Sequence, residues 1–172
     1  NHANVANVAL RFGRLRLANA IGDQTRPLSL PLSAQYWNSS SGSFDTNTLD
    51  NCTTLPASAV SFGKLRGSLV QADLGLTATS VGLSNGMGTL KLRAPTGGRR
   101  GTVDLALSLG STAADASCLQ TWAPDILATT GAGLGHLRGA WCASTYSKDP
   151  SARASFGLYR GADSMVYMRE NH

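Results

Sequence analysis

From Leu28 to Tyr36, apolar and polar residues alternate without a break: Leu28-Ser29-Leu30-Pro31-Leu32-Ser33-Ala34-Gln35-Tyr36. Side chains of an extended chain point to opposite faces at each step, so a period of two predicts a half-buried β-strand. The alternation recurs in Thr89-Leu90-Lys91-Leu92-Arg93 and in Val103-Asp104-Leu105-Ala106-Leu107-Ser108-Leu109. Ala154, Phe156 and Leu158 share one face of a later strand, and a closing strand is predicted from Val166 to Arg169. Pro31 cannot donate a ladder hydrogen bond, which places its strand along an edge at that point. Near the start, Leu10 and Phe12 have one parity, Leu15 and Leu17 the other, and Gly13 sits at the slip. One inserted residue resets the inward face, so the spacing predicts a single first strand with a β-bulge at Gly13.

Turn formers separate these runs at Ile21-Gly22-Asp23, Asn38 to Gly42, Ser84-Asn85-Gly86, Pro95 to Gly101 and Gly161-Ala162-Asp163. Strands at this spacing, with almost no helical periodicity, predict an all-β chain. The expected fold is an antiparallel β-sandwich with a bulged first strand and long irregular loops. Thr112 to Ala140 is the least regular stretch, with room for a short helical turn at Ala113 to Leu119 or Ala123 to Thr129.

A length of 172 residues suits one domain, 1–172, with a core that needs no staples. Charged residues make up only 15%, which disfavours surface helices rich in Glu, Lys and Arg. The net charge of +5 suits an anionic polysaccharide, a nucleic acid or a bacterial envelope. The arginines are scattered, however, and no basic run exists, so nucleic acid is not the expected partner. No apolar stretch is long enough for a membrane span. The chain begins at Asn1 without a signal peptide, and is expected to be a fragment of a longer secreted protein.

Three cysteines, Cys52, Cys118 and Cys142, form no CxxC or Cys/His pattern, which argues against zinc. One disulfide with one thiol left over is expected in an oxidising compartment. Cys118 with Cys142 is the expected pair, because the loop they close is rich in Gly, Ala and Thr; Cys52 with Cys118 is the alternative.

Four further patterns carry possible chemistry. Gly82-Leu83-Ser84-Asn85-Gly86 matches the G-x-S-x-G nucleophile elbow, with Asp125 and His136 following in a permissible order. An elbow needs a helix after its serine, whereas Met87 to Arg93 reads as a strand, so a hairpin turn is the expected reading. Gly131-Ala132-Gly133-Leu134-Gly135 lacks the third glycine and the βαβ context of a dinucleotide loop. Asp45, Asn47, Asp50 and Asn51 offer oxygen ligands that make calcium the one candidate cofactor, although EF-hand spacing is absent and such residues also form turns. Trp37, Trp122 and Trp141, with Tyr36 and Tyr146, are candidates for a glycan-binding platform, the alternative being ordinary packing. His2, His136 and His172 are too scattered for a metal site.

Several blocks together carry a resemblance. They are Arg11-Phe12-Gly13-Arg14-Leu15-Arg16-Leu17-Ala18-Asn19-Ala20, Leu30 to Trp37, Thr46-Asn47-Thr48-Leu49-Asp50-Asn51-Cys52-Thr53, Leu90 to Pro95, Gly101 to Leu105, and Ala152 to Arg160 with Val166 to Asn171. In this order they resemble a bacterial domain family of unassigned function. It is typified by the C-terminal region of MshQ-like proteins, encoded with mannose-sensitive haemagglutinin (type IV) pilus genes. The chain departs from the family pattern at His172 and over Cys118 to Ala140. The resemblance implies a Gram-negative cell-surface protein exported through the periplasm, and it supplies no catalytic residues. The expected function is thus a non-catalytic structural or adhesive module that associates with pilus or surface-protein subunits. A carbohydrate-binding module is the alternative, and a serine hydrolase using Ser84 ranks below both. Self-association through edge strands, in particular Met165 to Glu170, is a further expectation.

Overall fold

In the computed structural model, residues 11–119 and 123–157 are described. Their strands are β1 (Gly13–Leu17), β2 (Ala20–Gly22), β3 (Leu28–Asn38), β4 (Ser43–Thr46), β5 (Thr54–Pro56) and β6 (Val60–Gly67). They continue with β7 (Ser80–Gly82), β8 (Met87–Leu92), β9 (Gly101–Leu107), β10 (Pro124–Ile126) and β11 (Ser151–Phe156). Short 3₁₀ turns are the only helical elements among the described residues, and no helix there is long and apolar enough to cross a membrane.

The fold is all-β and sandwich-like. In the first sheet the long strand β3 has β1 along one side; β8 and β4 share the other, pairing with its first and second halves. The second sheet has the order β10-β6-β9-β11-β2, antiparallel except for the β11–β2 pair. Strands β5 and β7 form a small third sheet. The inward parity of β3, Leu28, Leu30, Leu32 and Ala34, is buried with Leu15, Leu17, Leu90 and Leu92 of the same sheet. Val60, Phe62, Val103, Leu105, Ala154 and Phe156 of the second sheet complete the core. Each such aliphatic or aromatic side chain contributes about 1.5–3 kcal/mol on full burial, so the alternation read from sequence drives the sandwich.

One sequence expectation about strand detail is corrected. Strand β1 carries no bulge: Gly13 through Leu17 pair in unbroken register with Tyr36 through Leu32, and the Trp37 N–H donates to the Phe12 carbonyl one rung further. Phe12 therefore shares the outer face with Arg14 and has no need to reach the core; Leu10 lies outside the described residues. A one-residue shift occurs instead in β6, where Gly63 pairs with Asp104 but Arg66 pairs with Thr102. Lys64 takes a positive φ of 50° at that point. Pro31 stands where the β1 ladder runs out: β1 pairs with Leu32 to Tyr36, so from Leu28 to Pro31 strand β3 has β8 alone as a strand partner and its other side is an edge, although β3 lies inside its sheet further on. The Pro31 carbonyl accepts the Ala18 N–H just beyond the end of β1, so the absent N–H costs one bond at the last rung of that ladder.

The 113–119 stretch holds no helical turn, and Pro124–Ile126 is strand β10. The closing strand expected from Val166 to Arg169 lies outside the described residues, as does the Met165 to Glu170 edge.

Long connections are fixed by buried aspartates. Asp149 is fully buried and accepts the N–H groups of Leu109 and Ala116 together with two nitrogens of Arg138, at 2.7 and 3.3 Å. Asp73 accepts the N–H groups of Val70 and Thr96 and an Arg99 guanidinium nitrogen at 3.1 Å. Asp104, on central strand β9, accepts a two-nitrogen contact from Arg153 and lies 3.6 Å from Arg66. Such carboxylates satisfy backbone donors that irregular loops would otherwise leave unpaired.

Candidate functional site

The outer face of the first sheet, near the β3–β4 hairpin, gathers aromatic rings around one arginine. The register sets Trp37 opposite Phe44, and the Phe12 contact extends the row onto the strand end beside them. Because all three positions share one parity, the rings lie side by side: Trp37 to Phe44 centroids are 5.3 Å apart and Phe12 to Phe44 6.1 Å. Two rungs on, Arg14 stands opposite Gln35, and the Arg14 Nε donates to Gln35 Oε1 at 2.8 Å. The guanidinium carbon then sits 3.8 Å from the Phe44 ring centroid and 4.7 Å from that of Trp141. Each stacked cation contributes about 0.5–2 kcal/mol, rising with desolvation. Burial is the main influence on Arg14 and lowers its pKa, opposed by nearby Tyr146 and reinforced by Arg16.

Trp141 and Tyr146 reach this face from a loop with two clasps. Cys118 and Cys142 are joined by a disulfide, and Gly139 and Lys148 exchange backbone hydrogen bonds of 2.9 and 3.0 Å. The loop lays Tyr146 edge-on to Phe12 at 4.5 Å, with Phe44 6.0 Å away. Trp141 is half-buried against Gly139, where a Cβ would collide with the indole. Its buried indole N–H has no acceptor among the described residues. In contrast, Phe12, Trp37 and Tyr146 are 51%, 44% and 42% exposed, so three large rings face solvent in one patch.

Of the proposed platform residues, the fold brings Trp37, Trp141 and Tyr146 together. Tyr36 has the opposite parity and stacks under Arg11, whose guanidinium carbon is 4.3 Å from its ring. Trp122 lies outside the described residues. Phe12, Arg14 and Phe44 belong to the patch although the sequence reading did not assign them there. For Phe12 and Arg14 the signal was the unbroken parity of β1, hidden by the bulge expected at Gly13; Phe44 joins the patch through its pairing with Trp37.

The oxygen-rich segment is spent on turns. Asp45 accepts the Asn38 side-chain N–H at 2.7 Å and the Ser43 hydroxyl at 3.3 Å. Asn47 accepts Arg11, and Asp50 accepts the Cys52 and Thr53 N–H groups and the Thr53 hydroxyl. Burial pushes the Asp50 carboxyl up, yet these donors outweigh it and hold the group below the usual carboxylate range. Asp45, Asn47 and Asp50 thus serve local geometry, and no group of three His, Cys, Asp or Glu residues among those described could hold a metal. Free Cys52 borders a groove of about 420 Å³ with Arg11, Leu49, Asp50 and His136.

Ser84 closes a hairpin. It exchanges backbone hydrogen bonds with Met87 across Asn85 and Gly86, both at positive φ, and strand β8 follows it. This is a type I′ turn, not a strand-to-helix elbow. His136 opens into the 420 Å³ groove, which neither Ser84 nor Asp125 lines. Gly131 to Gly135 packs against the end of β9, its backbone donating to Ser108, Leu109 and Gly110.

The family model described as DUF6701, fourth domain, matches residues 11–171. No curated protein and no solved structure matches the chain. With nearly its whole length covered by that model, the chain belongs to the DUF6701 fourth-domain family, an uncharacterised family.

Proposed function

We propose that this domain is a non-catalytic adhesive module of a bacterial cell-surface protein, and that it binds sugars through the aromatic–arginine face. The observation that carries the reading is the exposure of Phe12, Trp37 and Tyr146 in one patch beside Arg14, on a face the core does not use. Rings of this kind offer flat apolar surface for the C–H faces of a sugar and lose little conformational freedom on binding. The Cys118–Cys142 disulfide is in keeping with an oxidising, exported setting. The resemblance to MshQ-like proteins extends the proposal to a type IV pilus context, with pilus or surface-protein subunits as partners of the parent protein.

Glycan-array screening of the domain tests the binding role. Wild type is expected to retain a defined set of glycans that Trp37→Ala loses, with both proteins equally folded by circular dichroism. A blank array for wild type, or equal binding by the variant, refutes the reading. Copurification of the parent protein with pilus filaments tests the wider setting, and its absence from filaments and from the cell surface would overturn it.

A further inference from the structure

Resting on the binding role proposed above, we infer that the face is selective for acidic glycans, with a sugar ring against Trp37 and its carboxylate or sulfate on Arg14. Arg14 spends only its Nε, on Gln35; the two terminal nitrogens make no hydrogen bond or ion pair among the described residues. The Phe44 and Trp141 rings lie 3.8 and 4.7 Å from the guanidinium carbon, packing that restricts the group while its terminal nitrogens keep their hydrogen-bonding capacity for an acid oxygen. A planar fork held in advance loses little freedom on pairing with a carboxylate or sulfate.

The surroundings add charge of one sign. Arg16 occupies the next outward position of β1, is exposed, and makes no ion pair among the described residues. The ion pairs found among those residues involve Arg66, Arg99, Arg138 and Arg153 and lie elsewhere. Asp45, the carboxylate nearest in sequence to Phe44, is taken up by Asn38 and Ser43. A basic protein whose Arg14 and Arg16 have no ion pair among the described residues, beside exposed rings, complements an anion that also carries an apolar surface. A nucleic-acid strand fits less well, because it needs a row of cations along its backbone and rings that stack in parallel. Here the Phe12–Tyr146 and Trp37–Phe44 pairs are tilted at 86° and 68°.

The test is calorimetric titration of the domain with oligomannuronate, oligogalacturonate and chondroitin sulfate oligosaccharides. Each is compared with its carboxyl-reduced or desulfated neutral counterpart, and a single-stranded oligonucleotide serves as a further arm. At least one acidic sugar is expected to bind about tenfold or more tightly than its neutral counterpart, and to weaken as salt is raised. Arg14→Gln should erase that preference. Arg16→Gln, which alters only an exposed charge, should weaken acidic binding about twofold while leaving folding intact. Neutral and acidic sugars binding alike, with Trp37→Ala abolishing both, would overturn the selectivity and leave the sugar-binding face standing. Loss of all sugar binding in wild type would remove both. Tighter binding of the oligonucleotide than of any acidic sugar would also overturn the inference.

Discussion

Replacing Asp149 by alanine should be among the most damaging single changes in this chain. The carboxylate is fully buried and holds three separate segments: Leu109 just past the end of β9, Ala116 before the disulfide, and Arg138 before Trp141. Its loss strips an acceptor from two backbone N–H groups, at about 1–3 kcal/mol each where buried. It also leaves the Arg138 guanidinium, three-quarters buried, without its counter-charge; breaking such a pair costs about 3–5 kcal/mol. These costs overlap, so about 4 kcal/mol is the expected loss, against a total stability of about 5–15 kcal/mol for an ordinary domain. Asp149→Asn keeps one oxygen acceptor and should lose about half as much. Urea denaturation of both variants, in a double-mutant cycle with Arg138→Met, measures the pair directly. Arg138→Met alone removes the charge that needs the aspartate, so the two effects should be far from additive. A loss below about 1 kcal/mol for Asp149→Ala, or strict additivity with Arg138→Met, would refute the anchoring role.

Three other outcomes follow from the same structure. Burial alone would raise the Asp73 carboxyl, but the Val70 and Thr96 N–H groups and Arg99 outweigh it and hold the group below the usual range. Its stabilisation is therefore complete above the unfolded value of about 3.9 and is lost as pH falls through the lower folded value. Urea midpoints should drop on acidification below about pH 4, less steeply in Asp73→Asn; identical acid limbs would contradict this. Converting Cys118 and Cys142 together to serine reopens a loop of sequence separation 24, an expected loss of about 3.5 kcal/mol on the chain-entropy account. Thermal melts of the oxidised protein and the double variant check it, and equal melting temperatures would count against it. Gly86→Ala should destabilise the Ser84–Met87 turn between β7 and β8 by about 1–3 kcal/mol, since Gly86 has a φ of 72° and a Cβ there would meet the Asn47 backbone. Hydrogen exchange at Met87 would report it, and unchanged protection would show that the turn tolerates a side chain.

The sandwich was legible because its long strands declare themselves locally. Strand β3 alternates over most of its length, and β8, β9 and β11 can each be read from their own residues. Asn85-Gly86 likewise carries its own turn chemistry. Strands β2, β5, β7 and β10, of three residues each, are too short to show a period and exist only because a neighbour's edge receives them. The bulge expected at Gly13 shows the limit of parity reasoning. Val60 and Phe62 share one parity and Leu65 has the other, with Gly63 and Lys64 between them, so the same test fits β6, where the shift lies. Nothing local separates the two cases, since the difference is that Phe12 joins Phe44 and Tyr146 on the outer face, half-exposed, instead of turning inward.

The site was legible only in part for a related reason. Trp37 stands at the end of a readable strand, but Trp141 and Tyr146 arrive through the disulfide, the Gly139–Lys148 pairing and the Asp149 anchor. Those contacts join residues that no local spacing relates. Asp104 was similarly hidden: within an alternating strand it reads as a solvated position, yet Arg153 and Arg66 on the flanking strands cover it.

Ligand should meet this domain on the aromatic–arginine face. Nuclear magnetic resonance of the isotopically labelled protein, titrated with the tightest sugar from the calorimetric panel, tests it most directly. Shifts should concentrate at Phe12, Trp37, Phe44, Tyr146 and the Arg14 side chain, with the core of the second sheet unmoved. Shifts confined instead to the apolar groove of about 490 Å³ lined by Phe62, Leu76 and Ile126 would contradict it.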